Sequence, residues 1–301
     1  MKLRSTENEH SFTNKLLSEI NAYEIQGLTI NKKKDKFLTG MEAIELQDNE
    51  ELNFKNLTKL IPPNSLYAKL LITEVLNIPL YIPTYKNKLY SIYSITKNKD
   101  YKISKKLQFI DKSAINIKEC SLNLSEEQFI EWWKKVKETI QTKEFVNGAG
   151  IRADKTVFDS VLGKYGLYWG GNVDGFVIKD NKIIGIIDNL SAGSNIEEYN
   201  PALQRWFSVW ILHINSVLAQ TLKVPHLILT IDKYHPDNEI VGLSAIDTLY
   251  LYKNSKEIKF FNNVSPDKNI VMGMDNIKNQ IFELLEHAPV PKTMFKQNWG
   301  H

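Results

Sequence analysis

The sequence is poor in cysteine, with Cys120 the only one among its 301 residues. One cysteine can form neither an internal disulfide nor a cysteine-based zinc site. Long apolar runs are missing too, since no stretch of about 18 apolar residues offers a transmembrane helix. The polar first nine residues lead into no apolar segment typical of a signal peptide. We therefore expect a protein of the reducing cytoplasm that does not associate with membranes.

The chain also lacks a strong excess of either charge, because 38 basic and 35 acidic residues give a net charge of +3. An apolar content of 43% excludes a disordered protein. The small net charge conceals a basic segment, since residues 51–124 hold 12 lysines against five acidic residues. Such a segment indicates a polyanionic partner or, alternatively, a solvated lysine-rich face.

The pattern of apolar residues changes near residue 124, which predicts two domains, 1–124 and 125–301. The first is β-rich, with a hairpin at residues 85–88. The second opens with a capping box at Ser125 and Gln128 and then alternates helices and strands. No repeat of fixed period is visible. The predicted fold class is α/β (α+β), with a central mixed sheet flanked by helices in the C-terminal part.

Two aspartates stand at corresponding ends of two predicted strands. Asp174 lies in a glycine-rich segment where one strand begins, and Asp188 follows the four apolar residues of the next strand. A tight turn at Asp180 and Asn181 would place the two carboxylates side by side. Such a pair can hold a hard cation such as Mg²⁺ or Mn²⁺, which activates water and stabilises charge on a phosphate. Alternatively, both aspartates are turn residues at strand ends.

The order of a helix, a strand with Asp174, a strand ending at Asp188, a long helix and a buried strand resembles the core of the PD-(D/E)XK nucleases. This superfamily includes type II restriction enzymes and many DNA-repair nucleases. The resemblance covers residues 125–231 and implies a restriction-endonuclease-like sheet, with the two aspartates as the acids of the two motifs. A glutamate from the preceding helix often completes the metal site in this superfamily. The candidates here are Glu131, Glu138 and Asp159, and Glu138 is the predicted ligand.

One motif residue departs from the superfamily, because Leu190 stands where a lysine is usual. Leucine can neither orient a water molecule nor stabilise developing charge. Gln204 or Arg205, in the first turns of the following helix, could replace that lysine. The resemblance therefore implies a Mg²⁺- or Mn²⁺-dependent DNA endonuclease of the restriction or defence type, whose catalytic residues are Asp174, Asp188, Gln204 and Arg205. The alternative is a catalytically inactive module with the nuclease fold that binds nucleic acid or protein.

The basic segment interleaves lysines with tyrosines. Lysines neutralise phosphates and tyrosine rings stack on bases, so this pattern favours a grip on nucleic acid. The predicted contacts are Tyr85, Lys86, Lys88, Lys97, Lys99, Lys102, Lys105 and Lys106. Alternatively, the segment is an exposed sheet whose edge lysines prevent aggregation. DNA is the expected partner, and a homodimer is a further expectation.

Overall fold

The structure is a computed structural model. It describes residues 2–3, 11–31, 36–98, 114–138, 156–167, 169–192, 196, 209–232, 235, 238–253, 258–264 and 269–296. Seven helices and 14 strands lie in these ranges, and the strands pair in both directions. The chain is therefore of the mixed α+β class with a mixed sheet, as the sequence predicts.

By its contacts the chain divides into two compact units. The first unit is Met1–Thr6 with Glu24–Asn172, and the second is Glu7–Tyr23 with Val173–His301. The boundary predicted at residue 124 lies inside the first unit, because the helix that begins after Ser125 belongs with the strands before it.

The first unit is a sheet covered by helices on both faces. Its elements are β1 (Lys2–Leu3), β2 (Ala22–Asn31, from Glu24 onward), β3 (Lys36–Met41), β4 (Ile44–Glu45), α2 (Phe54–Leu60), α3 (Pro63–Val75), β5 (Leu80–Lys86), β6 (Leu89–Lys97), β7 (Ile115–Leu124), α4 (Glu126–Val136) and α5 (Val157–Lys164). Strands β2 and β3 form an antiparallel hairpin, β3 runs parallel to β5, and β5 is antiparallel to β6. Helices α2 and α3 pack on one face through Leu57 and Leu66, and α4 and α5 pack on the other through Phe129 and Phe158.

The second unit has the same kind of layering. Its elements are α1 (Ser11–Glu19), β8 (Gly171–Lys179), β9 (Lys182–Ala192), α6 (Val209–Leu222), β10 (His226–Asp232), β11 (Ile240–Lys253), β12 (Ile258–Val264), β13 (Asn269–Met272), α7 (Met274–His287) and β14 (Lys292–Lys296). Strands β8 and β9 form an antiparallel hairpin, β9 runs parallel to β10, and β10 is antiparallel to β11. Helices α1 and α7 share a core of Leu16, Ile277 and Ile281 with one face of the sheet.

Local signals in the sequence set several of these elements. The capping box of Ser125 and Gln128 opens α4 as predicted. Two-residue turns join β5 to β6 and β8 to β9, with positive φ at Asn87 and Lys88 and at Asp180 and Asn181. Positive φ at both central residues suits the right-handed twist of a hairpin.

The two units repeat one order of elements, which no period in the sequence indicates. Each has an antiparallel hairpin, a crossover helix, a parallel strand, an antiparallel strand and a closing helix: β2, β3, α3, β5, β6 and α4 in the first unit, and β8, β9, α6, β10, β11 and α7 in the second. The helix that precedes each hairpin in the chain is counted with the other unit, α1 with the second and α5 with the first.

Strand register repeats residue by residue. Gly40 pairs with Leu80 in the first unit, and 146 positions later Ile186 pairs with His226 in the second. The hairpins match as well, since both contain a β-bulge, between Thr29 and Ile30 in one and between Val177 and Ile178 in the other. The units are therefore two versions of one structure.

The crossover helices end in matching ways. Asn77 and Lys223, again 146 positions apart, have φ values of 53° and 58° just after their helices. The next residues donate backbone hydrogen bonds to Thr73 and Ala219, which are also 146 apart. The offset of 146 thus holds from β3 to β5 and identifies equivalent positions along the whole crossover.

The glycine before each bulge gives a matched stability prediction. A Cβ on Gly27 would lie 2.5 Å from Nε1 of Trp169, a buried ring that packs against Trp133, whereas the nearest atom to a Cβ on Gly175 is 3.2 Å away. Because overpacking typically costs about 1–3 kcal/mol, we expect Gly27→Ala to lower the free energy of unfolding by that amount and Gly175→Ala by less. Urea denaturation of both variants measures this, and equal losses would contradict the packing described for Trp169.

Candidate functional site

The two aspartates lie on neighbouring strands of the second unit. Gly175 of β8 pairs with Ile187 of β9, so Asp174 and Asp188 are the next positions in register. Directly opposite residues of an antiparallel pair face the same side of the sheet. The backbone N–H of Asn189 donates to Oδ2 of Asp174 at 2.8 Å. The positions are side by side, as the turn predicts, while their catalytic and metal-binding roles stay predictions.

Asp188 is buried, with 1% of its surface exposed, and both of its carboxylate oxygens are hydrogen-bonded. Nδ2 of Asn215 in α6 donates to Oδ1 at 2.6 Å, and Nε2 of His226 lies 2.7 Å from Oδ2. Nδ1 of that histidine lies 3.0 Å from the hydroxyl of Ser216. When the carboxylate is ionised, His226 donates from Nε2, and in the neutral tautomer its Nδ1 accepts from the Ser216 hydroxyl. The result is a continuous buried network centred on Asp188.

Sequence reasoning missed the three residues of this network that surround Asp188. A signal was present, because Asn215 and Ser216 are adjacent polar residues in a mostly apolar helix, and His226 opens a buried strand. His226 places a basic side chain beside Asp188, two residues before Leu190. Leu190 packs against Ile228 and a second buried isoleucine of the sheet.

The other predicted catalytic and metal residues do not join this network in the described part of the chain. Gln204 and Arg205 lie outside the described residues. Glu138 belongs to the first unit, where it accepts a hydrogen bond from Nδ2 of Asn31 at 2.6 Å. Among the described residues no three His, Cys, Asp or Glu side chains are grouped to hold a metal ion. The prediction that Asp174 and Asp188 hold a metal ion together with Glu138 is therefore reduced to the two aspartates, and their metal binding stays a prediction.

The predicted nucleic-acid contacts lie in the first unit. Nζ of Lys86 donates to the carbonyl oxygen of Glu50 at 2.8 Å, and Nζ of Lys97 lies 3.5 Å from a Glu74 carboxylate oxygen. Lys88 is exposed at the hairpin turn. The Tyr85 ring is partly buried against Tyr90, with ring centroids 5.1 Å apart. Lys99, Lys102, Lys105 and Lys106 lie outside the described residues, and the binding role of all eight stays a prediction.

The first unit has its own buried polar cluster at the position equivalent to Asp188. Nζ of Lys69 lies 2.7 Å from Oε1 of Glu42 and donates to the carbonyl oxygen of Glu24 at 2.6 Å. The backbone N–H of Gln26 donates to the same Oε1 at 3.1 Å. Lys69 and Glu42 are 1% and 0% exposed. Burial raises the pKa of Glu42, and the Lys69 ammonium acts in the opposite direction.

The first unit also shows which features of the second are dispensable for the fold. Leu70 and Leu80, both buried, stand 146 positions before Ser216 and His226. Leucine therefore fits this environment, and apolar residues avoid the cost of burying polar groups. The second unit thus has a hydrogen-bonded serine–histidine pair where the first unit has two buried leucines.

Comparisons of the chain with protein-family models, with curated proteins and with solved structures found no match. No helix in the described ranges is long and apolar enough to cross a membrane.

Proposed function

We propose that the second unit is a restriction-endonuclease-like, divalent-metal-dependent nuclease that hydrolyses phosphodiester bonds in DNA. The observation that carries the proposal is the placement of Asp174 and Asp188 side by side on one face of a hairpin. Their oxygens are the hard donors that Mg²⁺ and Mn²⁺ prefer. The hairpin, the crossover helix α6 and the parallel strand β10 support a sheet of the restriction-endonuclease-like type. The bound ion would supply charge for activating water and for stabilising the phosphate.

The surrounding residues hold these carboxylates in place. Asn215 and His226 each engage one oxygen of Asp188, and the backbone of Asn189 engages Asp174. Hydrogen bonds of this kind fix the orientation of a ligand before an ion arrives. His226 is also the basic group nearest the acid among the residues that contact it, and it stands in for the motif lysine. Lysines of the first unit, such as the exposed Lys88, would contribute phosphate contacts.

Cleavage of plasmid DNA with Mg²⁺ or Mn²⁺ tests the proposal. We expect Asp174→Asn and Asp188→Asn each to reduce the rate by about 100-fold or more, because each removes a negatively charged ligand from the ion that stabilises the reacting phosphate. Asp180→Asn is the matched control, since that carboxylate lies in the exposed turn of the same hairpin and should leave the rate unchanged. Cleavage that survives both site variants would overturn the assignment.

A second candidate is a catalytically inactive module with the nuclease fold that binds nucleic acid or protein. The burial of Asp188, with both oxygens already hydrogen-bonded, favours it, as does Leu190 at the motif position. This candidate predicts no cleavage with either metal. It also predicts that the logarithm of the DNA-binding constant falls linearly with the logarithm of the salt concentration, because lysine contacts release counterions from phosphates.

A further inference from the structure

The chain contains two repeats, residues 11–136 and 157–287, and each begins with a helix, α1 in the first repeat and α5 in the second. The two helices end alike, because Asn21 and Gly166, 145 positions apart, have φ values of 53° and 66° just after them. The backbone N–H of each donates to the carbonyl oxygen of the residue three positions earlier. We therefore treat α1 and α5 as equivalent helices.

Helix α1 completes the core of the second unit, although the strand that follows it in sequence continues into the first. Its buried side chains share one apolar cluster with β8, β9, β10, β11 and α7, and apart from α1 and Ala22 every buried member of that cluster belongs to the second repeat. Nζ of Lys278 in α7 lies 2.8 Å from Oε2 of Glu19. The backbone N–H of Ile178 in β8 donates to the carbonyl oxygen of Asn21 at 3.1 Å. Apolar packing, an ion pair and a backbone hydrogen bond thus hold α1 in the second unit.

Helix α5 completes the core of the first unit in the same way. Its buried residues Phe158, Val161 and Leu162 share a cluster with β6 and α4 of the first repeat. The ring centroid of Phe158 lies 5.9 Å from that of Phe129 and 5.8 Å from that of Tyr90. Each unit therefore buries the leading helix of the other repeat.

The exchanged segment approaches an equivalent glycine in each unit. A Cβ on Gly175 would lie 3.2 Å from the Cβ of Ala22 and 3.5 Å from Cδ2 of Leu17. A Cβ on Gly27 would lie 2.5 Å from Nε1 of Trp169, which follows α5. Glycine inside a strand often marks such a close approach. The first repeat contacts Gly175 of the second and the second contacts Gly27 of the first, a reciprocity expected when two copies of one structure exchange the same element.

We propose that the two repeats are binding partners of each other, and that each holds the leading helix of the other in its core, as the protomers of a helix-exchanged dimer do. The surface that receives α1 is the apolar face of β8–β11 beside α7, and Lys278 matches the charge of Glu19 at its edge. The unit that carries Asp174 and Asp188 thereby depends on the helix at the start of the chain, and the first unit depends on α5. This inference concerns the assembly of both units and goes beyond the function proposed for the second.

Substitutions in the exchanged helices test this crossed dependence. Leu16 and Leu162 are both fully buried. Because Leu→Ala in a core loses packing and leaves a cavity, we expect Leu16→Ala to raise amide exchange in β10, β11 and α7 by about 10-fold or more, with β3 and β5 close to the wild type. Leu162→Ala should raise exchange in β5, β6 and α4 and leave β10 and α7 unchanged. Hydrogen–deuterium exchange of the full chain, read by mass spectrometry, measures both patterns.

The matched control for these variants is Leu57→Ala, which makes the same change at an equally buried position of α2. The cluster around Leu57 lies wholly within the first repeat, so exchange should rise in the first unit alone. If Leu16→Ala loosens β2 and β3 and spares α7, or acts equally on both units, the inference is overturned.

A second test needs no substitution in the core. A protease recognition sequence inserted between residues 138 and 156 allows the two repeats to be cut apart after the full chain has folded. We expect the cut protein to remain one particle with the mass of the intact chain in size-exclusion chromatography with light scattering, because separation would expose the apolar faces of α1 and α5 to water. Repeats that separate into two folded particles without denaturant would overturn the inference.

Discussion

Lys69→Met lowers the free energy of unfolding by about 3–5 kcal/mol, because it leaves the buried carboxylate of Glu42 without its cation. Glu42 has no exposed surface, so water cannot replace the ammonium. The carbonyl oxygen of Glu24 loses a donor in the same change. Urea denaturation at pH 7 measures the loss.

The double variant Glu42→Met/Lys69→Met is the control for this prediction. Replacing both members of a buried ion pair by apolar residues is often neutral or stabilising, so the double variant should regain most of the stability that the single one loses. A double variant as unstable as Lys69→Met would show that the pair is not the cause of the loss.

The loss in Lys69→Met should also depend on pH. Burial raises the pKa of Glu42 above its ordinary value, and removal of the ammonium removes the main influence that lowers it. A group whose folded pKa is raised binds a proton more readily in the folded state, so stability falls as the pH rises from the ordinary pKa through the raised one. The deficit of Lys69→Met should therefore be smaller near pH 5 than near pH 8.

If the second unit is the proposed nuclease, we expect His226→Leu to reduce DNA cleavage by about 10–100-fold, the usual effect of removing a residue that positions a metal ligand. The variant takes one hydrogen bond from Asp188 and leaves the buried hydroxyl of Ser216 without its acceptor. Unsatisfied buried groups cost about 1–3 kcal/mol each, so stability falls as well. Because Leu80 stands at the equivalent position of the first unit, leucine itself fits the fold.

Two further variants separate positioning from general stability. His226→Gln keeps an N–H donor for Asp188 and should restore Mn²⁺ affinity in part, while Ser216→Ala keeps the contact of His226 with Asp188 and should leave affinity near that of the wild type. Loss of stability in His226→Leu with unchanged Mn²⁺ affinity and unchanged cleavage would assign the histidine a structural role only.

Local features of this fold were predictable from the sequence because their causes are local. The turn at Asp180 and Asn181 and the capping box at Ser125 need only neighbouring residues. The side-by-side placement of Asp174 and Asp188 follows from that same turn. A few consecutive residues are therefore enough to predict these elements.

The hairpin of β2 and β3 was not predictable, because its strands bury polar side chains. Gln26 and Thr29 of β2, Thr39 of β3 and Glu42 directly after β3 are all buried, so the alternation of apolar and polar residues that marks a strand is absent. The threonines satisfy each other across the strands at 2.8 Å, a contact that only the pairing reveals. This hidden hairpin is the counterpart of the one that carries Asp174 and Asp188.

The repeat was not predictable from the sequence, because the two units share a burial pattern and a strand register but few identical residues. Few residues are identical at equivalent positions of the two units; examples are Pro79 with Pro225 and Thr84 with Thr230. The network at Asp188 was hidden for a related reason, since Asn215 and His226 lie 27 and 38 positions away in the chain. Contacts at that range depend on the crossover connection, which sequence patterns do not specify.

The most direct test of the proposed metal site is anomalous X-ray scattering from crystals of the protein soaked in Mn²⁺. We expect one strong peak within coordination distance, about 2.0–2.6 Å, of carboxylate oxygens of Asp174 and Asp188, and none beside Glu42 and Lys69. A peak at the Glu42 cluster, or no peak at the two aspartates under saturating Mn²⁺, would contradict it.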